Sequence, residues 1–242
     1  MAQKDYAQLA HDLIASLGLQ NPPLAITFSQ EPVAGAAPFD DPMPPITPDG
    51  RTGRVPAGCV FWMKAGTRTF STVAADHANC SVGSVTHGFK TLSEVGDKSD
   101  VAALVGAGWV SPEIFPQIPA VQEPYQYVIY GPLAQTPVNP DVVFLRVNAK
   151  QAMVLSDALP GLRFEGKPQC HIVAIAKEQG QAAVSVGCML SRVRTAMPNT
   201  EMTCAFPGTQ LGEVVQRIKT TAAVDGTVAG YAGDDARRFA AS

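Results

Sequence analysis

Apolar and polar positions change their spacing several times along this chain, and each spacing predicts one kind of element. Between Tyr6 and Leu17 apolar residues recur every three to four positions, as on one face of an amphipathic helix, and Gly18 follows as a stop signal. Short apolar runs bounded by Pro, Gly or polar residues predict strands. These runs are 24–29, 67–74, 125–133, 141–147, 182–187 and 201–206.

Helical segments are predicted between these strands. They cover 91–106, 150–159, 189–197 and 208–220. A turn within 75–88 opens a further helix, for which Asn79 or Ser81 is the expected cap. The run CHIVAIA at 170–176 fits a buried strand and a buried helix equally well. The mixture predicts an α/β or α+β fold, with one mixed β-sheet and helices packed on it.

We expect a single domain over residues 1–242, with the N-terminal helix inside 1–20. Two Pro-rich segments, 30–57 and 111–124, predict long surface loops, and loops of this length are often functional. The Gly- and Ala-rich segment 221–242 is expected to be a loosely held tail.

Composition narrows the class of protein. Hydrophobic residues make up 46% of the chain and charged residues 16%, which argues against disorder. The net charge of −3 provides no basic surface for nucleic acid. No apolar run is long enough to span a membrane, and the N-terminus lacks the apolar core of a secretory signal. We therefore expect a cytoplasmic protein that binds neither membrane nor nucleic acid.

Five scattered cysteines are the main chemical signal: Cys59, Cys80, Cys170, Cys188 and Cys204. An odd number without regular spacing argues against a disulfide framework, so they are core residues, nucleophiles or ligands. Cys59 and Cys188 each follow a glycine, and Cys80 lies in a turn, settings in which backbone N–H groups can stabilise a thiolate. Cys170 and Cys204 lie in apolar runs and are expected to be core residues.

Spacing alone leaves these alternatives open, because no C-x-x-C pair is present. His77 and His87 flank Cys80, and each is a possible ligand, general acid or ordinary loop residue. Arg192 and Arg194 follow Cys188 and are either surface residues or cations that face an anionic substrate or cluster. Neither of the common glycine-rich phosphate motifs occurs.

Five segments in order are similar to an uncharacterised bacterial and archaeal family, domain of unknown function 169. They are GCVFWMKA, HANCSVGSVTHGF, PVNPDVVFLRVNAKQAMVL, VSVGCMLSRVRT and FPGTQL, and the similarity extends over about 24–219. The resemblance assigns importance to Cys59, Cys80 and Cys188, with Arg192 and His87 as pattern residues that could contact substrate. Cys170 lies where a cysteine is also common. Ser81 replaces the usual proline, and Cys204 is outside the pattern.

The resemblance implies a soft-metal or iron–sulfur site, because three thiolates suit such a group. The leading hypothesis is a [4Fe–4S] cluster held by Cys59, Cys80 and Cys188, with zinc as an alternative. Three ligands would leave one iron open to a small substrate, and Cys170 or His171 could instead be the fourth ligand. A small molecule or a redox protein is the expected partner, and a homodimer is possible.

Two other functions remain open. A haem- or small-molecule-binding module would place its pocket beneath the loops 30–57 and 111–124, with Trp62 and Trp109 as walls. A thiol enzyme would use Cys80 or Cys188 as its nucleophile.

Overall fold

The six predicted apolar runs match six strands of one eight-stranded sheet in a computed structural model, which describes residues 5–40, 58–96, 98–166 and 168–240. The strands at 37–38 and 163–166 were not predicted. The strands are β1 (Leu24–Ser29), β2 (Ala37–Pro38), β3 (Phe70–Thr72), β4 (Tyr127–Pro132), β5 (Val142–Val147), β6 (Arg163–Gly166), β7 (Ala183–Ser185) and β8 (Met202–Pro207). Their order is β2-β3-β4-β1-β5-β8-β7-β6. The pairs β2–β3 and β6–β7 are parallel and the others antiparallel, so the sheet is mixed.

Nine α-helices lie within the described residues. They are α1 (Tyr6–Leu17), α2 (Gly58–Lys64), α3 (Ser81–Thr86), α4 (Leu92–Val95), α5 (Ser99–Gly106), α6 (Ala149–Ala158), α7 (His171–Glu178), α8 (Met189–Thr195) and α9 (Leu211–Ala240). The prediction of a mixed sheet with helices packed on it is confirmed. None of the described helices has the length and apolarity that crossing a bilayer requires.

The two faces of the sheet build two separate apolar clusters. Successive strand residues point to opposite faces, and in β5 Val142 and Phe144 join one cluster while Val143 and Leu145 join the other. The first cluster includes apolar residues of α2 and α7, and the second includes those of α1, α6 and α9. The sheet therefore separates the side of the molecule that holds α2 and α7 from the side that holds α1, α6 and α9.

The ambiguous run at 170–176 is helical. Residues His171–Ala176 of α7 are all buried, so no polar face interrupts the run and its periodicity is lost from the sequence. His171 therefore lies on the first turn of a helix that begins directly after Cys170, and not on a strand.

Several predicted boundaries were wrong. The predicted helix 91–106 is two helices, α4 and α5, because α4 ends beside Gly96. Cys80, not Asn79 or Ser81, occupies the cap position before α3. The predicted strand 67–74 contains only the three residues of β3, and residues Pro112–Gln117 of the predicted loop 111–124 form a 3-10 helix. Of the loop 30–57, residues 41–57 lie outside the described part of the chain.

The last helix is much longer than predicted. α9 runs from Leu211 to Ala240, and not only to residue 220, because alanines favour helix and the pairs Arg237–Asp234 and Arg238–Asp235 support its end. None of the described residues after Ile218 is buried. The segment expected to be a loose tail is therefore helical as far as Ala240, and most of its described side chains are exposed.

Candidate functional site

Four of the five cysteines line one small cavity on the α2 and α7 side of the sheet. The cavity measures about 30 Å³, and its cysteines are Cys59, Cys80, Cys170 and Cys188. Cys59 is the second residue of α2, whereas the other three directly precede α3, α7 and α8. Four chain segments that are distant in sequence therefore each bring a thiol to the same point as a helix begins.

The thiols are close enough to influence one another. Burial, together with the charges of Cys80 and Cys188, raises the pKa of Cys59 to about 12. Burial also raises the pKa of Cys170 well above its ordinary value, with added contributions from Cys80, Cys188 and Cys59. Burial and then Cys80 raise the pKa of Cys188. All six pairs among the four thiols thus repel as thiolates, and a bound cation or cationic cluster would relieve that repulsion.

Hydrogen-bond donors are already directed at two of the sulfurs. The hydroxyl of Ser191 donates to Cys59, whereas the hydroxyl of Thr86 lies beside Cys170 and donates to the carbonyl of Gly83 at 3.1 Å. The backbone N–H groups of Ser191 and Leu190 donate to Cys188. Each donor lowers the pKa of its thiol, which favours the thiolate form that a metal requires.

The start of α3 and the Ser191 hydroxyl are both held in place. Asp100 on α5 accepts hydrogen bonds from the backbone N–H of Ser81 at 3.0 Å and from its hydroxyl at 2.7 Å, next to Cys80. Gln169 donates from Nε2 to the Ser191 oxygen at 2.8 Å, so this hydroxyl accepts from Gln169 while it donates to Cys59. These contacts orient the side chains that surround the sulfurs.

Arg194 provides a positive charge at the cavity. Its guanidinium lines the space and lowers the pKa of both Cys59 and Cys188. One of its nitrogens, Nη1, is buried without a hydrogen-bond partner. Trp62 and Trp109 are further walls, so the cavity combines thiols, one cation and aromatic shielding.

The comparison with protein families gives one match. The uncharacterised ArCR family, domain of unknown function 169, matches residues 12–217. The chain belongs to this family. No curated protein and no solved structure gives a significant match.

The pattern arginine of this family member, Arg192, does not line the cavity. It donates to the backbone carbonyls of Val186 at 2.6 Å, Pro198 at 2.5 Å and Glu201 at 3.0 Å. These bonds tie the turn before Cys188 to the loop that leads into β8. Its neighbour Arg194, two residues further on, is the arginine at the thiols, and the sequence does not distinguish the two.

His87, the other pattern residue, also lies outside the cavity lining. It is buried behind α3, where its Nδ1 donates to the carbonyl of Gly83 at 2.8 Å and its ring lies 5.0 Å from that of His77. Burial lowers the pKa of His87 to about 4 and that of His77 well below its ordinary value. Both imidazoles are therefore neutral around neutral pH.

Cys204 is separated from the other thiols by the sheet. It is fully buried in β8 and belongs to the cluster of α1, α6 and α9. Burial raises its pKa to about 12. The expectation that Cys204 is a core residue is met, whereas Cys170 is buried in the core and also lines the thiol cavity.

The donor set suits a soft metal chemically, although its present spacing is not that of a closed single-ion site. Among the described residues, no group of three or more His, Cys, Asp or Glu side chains is placed to hold one metal ion. The cavity of about 30 Å³ has room for roughly two water molecules. Loading with a cluster would therefore require the thiol side chains to move apart.

A second and larger cavity adjoins the first. It measures about 330 Å³ and shares the residues Val82, Trp109 and Pro168 with the thiol cavity. Of the two tryptophans predicted as walls of one pocket, Trp109 lines both cavities and Trp62 lines only the thiol cavity.

Proposed function

We propose that this protein binds an iron–sulfur cluster through Cys59, Cys80, Cys170 and Cys188. The observation that supports this proposal is the meeting of four thiols, from the starts of four helices, around one cavity. The sequence resemblance implied three of these ligands and left Cys170 or His171 as the fourth. Since Cys170 lines the cavity and His171 does not, the proposal takes Cys170 as the fourth ligand.

Four thiolates suit both zinc and an iron–sulfur cluster. Around a single zinc ion with bonds of about 2.3 Å, tetrahedral geometry holds the sulfurs roughly 3.8 Å apart. A cluster keeps its cysteines further apart, because several iron and sulfide atoms lie between them. Zinc is therefore the alternative that metal analysis must distinguish from the cluster.

The cluster would supply one-electron transfer, or Lewis-acid chemistry if one iron were open. The role of the surrounding residues is to set its environment. Ser191 and the first N–H groups of α8 donate to the thiolates, and Arg194 offsets part of their negative charge. The tryptophan walls exclude water, which together with the donors would tune a reduction potential.

A thiol nucleophile receives less support. A reactive cysteine has a lowered pKa and an exposed sulfur. Here Cys80 and Cys188 are buried, and burial raises the pKa of Cys188. The environment is thus better suited to a ligand than to an attacking group.

Anaerobic purification followed by iron, sulfide and zinc analysis tests the proposal. We expect about four irons and four sulfides per chain, as in a [4Fe–4S] protein, and loss of both in Cys80→Ala and Cys170→Ala. Cys204→Ala is the matched control, since it removes an equally buried thiol on the other side of the sheet. It should lower stability and keep the iron.

Two results would overturn the proposal. One is wild-type protein, purified and reconstituted anaerobically with iron and sulfide, that binds neither. The other is iron content that is unchanged from the wild type in each of the four single cysteine variants. Zinc with no iron would establish a thiolate metal site and replace the cluster with a structural ion.

We also propose a cytoplasmic location and a homodimer. Five free cysteines fit a reducing compartment. Val224, Val228 and Tyr231, all exposed along α9, offer an apolar surface to a second copy. A redox protein or a small molecule is the partner that this chemistry would serve.

A further inference from the structure

The larger cavity has the size and walls of a site for a small organic molecule. It lies between α3, α4, α5, the segment 109–118 and the start of α7, and measures about 330 Å³. An apolar cavity of about 150 Å³ holds one benzene, so this space accepts roughly two fused rings. Its apolar walls include Val85, Val101, Leu104, Ile114 and Phe115.

One corner of this cavity is polar. Glu165 lies between two partners there, with Arg163 Nη2 at 2.8 Å from one carboxylate oxygen and His171 Nδ1 at 3.0 Å from the other. These partners lower the pKa of Glu165, His171 first. The remaining ring nitrogen of His171, Nε2, is buried and has no hydrogen-bond partner among the residues that the structure describes.

The contact with Glu165 determines what Nε2 can do. A carboxylate only accepts hydrogen bonds, so Nδ1 of His171 donates to Glu165 and Nε2 is the ring nitrogen left for a ligand. A buried polar atom without a partner is costly. A ligand hydroxyl would satisfy this atom, whereas a hydrocarbon would not.

We infer that the larger cavity binds a mainly apolar molecule of one or two rings whose hydroxyl donates to Nε2 of His171. This inference does not depend on the metal at the thiols, because the described residues of the cavity form the site by themselves. The shared walls at Val82, Trp109 and Pro168 would place such a ligand next to the thiol cavity.

Three ligands of equal size test the inference on the purified full-length chain: indane, indanol with its hydroxyl on the aromatic ring, and the corresponding indane carboxylate. Binding is measured by calorimetry and by the fluorescence of Trp109, with Trp62→Phe as the background for the optical signal. We expect indanol to bind about tenfold more tightly than indane, the effect of one hydrogen bond to a buried acceptor. The carboxylate should bind most weakly, because it offers no donor and brings a charge next to Glu165.

Variants test the apolar walls and Nε2 of His171 separately. His171→Phe keeps the ring and removes the lone pair, so it should abolish the preference for indanol while indane still binds. Leu104→Trp should block all three molecules, whereas Ala103→Trp, at an exposed neighbour on α5 that does not line the cavity, should block none.

Absence of binding by all three molecules in the wild type would overturn the inference. Equal binding of indane and indanol, or tightest binding of the carboxylate, would overturn the role of Nε2 as an acceptor. These results are independent of iron content, so failure here is distinguishable from failure of the cluster proposal. If His171→Phe does not fold, the wild-type comparison and the Leu104→Trp variant still decide the question.

Discussion

At the scale of single residues, burial is the main cause of the altered pKa values of the cysteines and histidines. The same loss of water raises the pKa of Cys59 to about 12 and lowers that of His87 to about 4, because in both cases burial disfavours the charged form. The two groups differ in what surrounds them. The thiols have donors and Arg194 beside them, which suits a negative charge, whereas the imidazoles of His77 and His87 pack among aromatic rings.

His87 should make the stability of the fold depend on pH. In the unfolded chain it protonates near 6.5, but in the folded chain only near 4. Between these values the unfolded chain binds a proton that the folded chain excludes, so the free energy of unfolding falls as the pH falls. A difference of about 2.5 units corresponds to roughly 3 kcal/mol. Urea unfolding between pH 7 and pH 4, with a chelator present, would measure this slope.

The variant His87→Phe should have a shallower slope than the wild type over that range. Val85→Ala serves as the control, because it removes buried apolar atoms on the same helix without removing a titrating group. It should lower stability by a similar amount at every pH. If His87→Phe kept the full wild-type slope, His87 would not be the source of the pH dependence.

At the scale of elements, the turns before the helices determine where the thiols lie. Gly187 precedes Cys188 with φ of 94°, a left-handed conformation that other residues rarely adopt. A Cβ at this position would lie 3.2 Å from Gln169 Oε1 and 3.3 Å from Arg192 Nη2. Only glycine fits this turn well, for two reasons. It adopts the left-handed backbone, and it leaves room for the side chains of Gln169 and Arg192, which hold the region together.

Replacement of Gly187 by alanine should damage the site more than the fold. The left-handed backbone costs about 1–2 kcal/mol for any such residue, and the crowding of Gln169 and Arg192 would also displace Cys188. We expect metal retention to weaken about tenfold, as for other residues that orient ligands. Chelator competition and urea unfolding would measure the two effects.

Gly180 provides a matched control for this change. It also has a left-handed φ, of 62°, but a Cβ there would meet no atom within 4 Å. Gly180→Ala should lower the free energy of unfolding by a similar amount through its left-handed backbone. Its metal retention should equal that of the wild type. Equal metal retention in the two variants would show that the turn at Gly187 does not position Cys188.

Sequence patterns predicted where the helices and strands lie better than they predicted which of these elements are in contact. The helix Tyr6–Leu17 follows from periodicity because one of its faces lies in the core, and the strand Leu24–Ser29 follows from its apolar run because it is buried on both faces of the sheet. The run after Cys170 is buried all round, so its helical nature and the place of Cys170 could not be deduced. Likewise β4 and β5 follow each other in the chain, yet β1 lies between them in the sheet. Such long-range neighbours decide which side chains meet.

At the scale of the whole molecule, the two sides of the sheet differ in their chemistry. One side holds the thiols and both cavities, and the other packs α1, α6 and the first turns of α9 into an apolar cluster. Cys204 shows the division most directly, since it is as buried as any thiol but faces the second cluster. Changes on that side should alter stability with little effect on the metal binding that we propose at the thiols.

The C-terminal part of α9 should be dispensable for the fold. The last buried residue of this helix is Ile218, and most of the described residues beyond it are exposed. Deletion of residues 223–242 should therefore change the free energy of unfolding by less than about 0.5 kcal/mol in dilute solution. Ile218→Ala, in contrast, should cost about 2–5 kcal/mol, the usual range for truncating a buried isoleucine.

The same deletion tests the homodimer by sedimentation. If Val224, Val228 and Tyr231 pack against a second copy, the full chain should sediment as a dimer at high concentration and the shortened chain as a monomer. Val228→Asp is the milder variant, because it places one charge on that surface and leaves the helix complete. A dimer that survives both changes would use another surface, and a monomeric full chain would exclude the homodimer. In either case the iron content of the shortened chain should match that of the full chain, since the thiols lie across the sheet from α9.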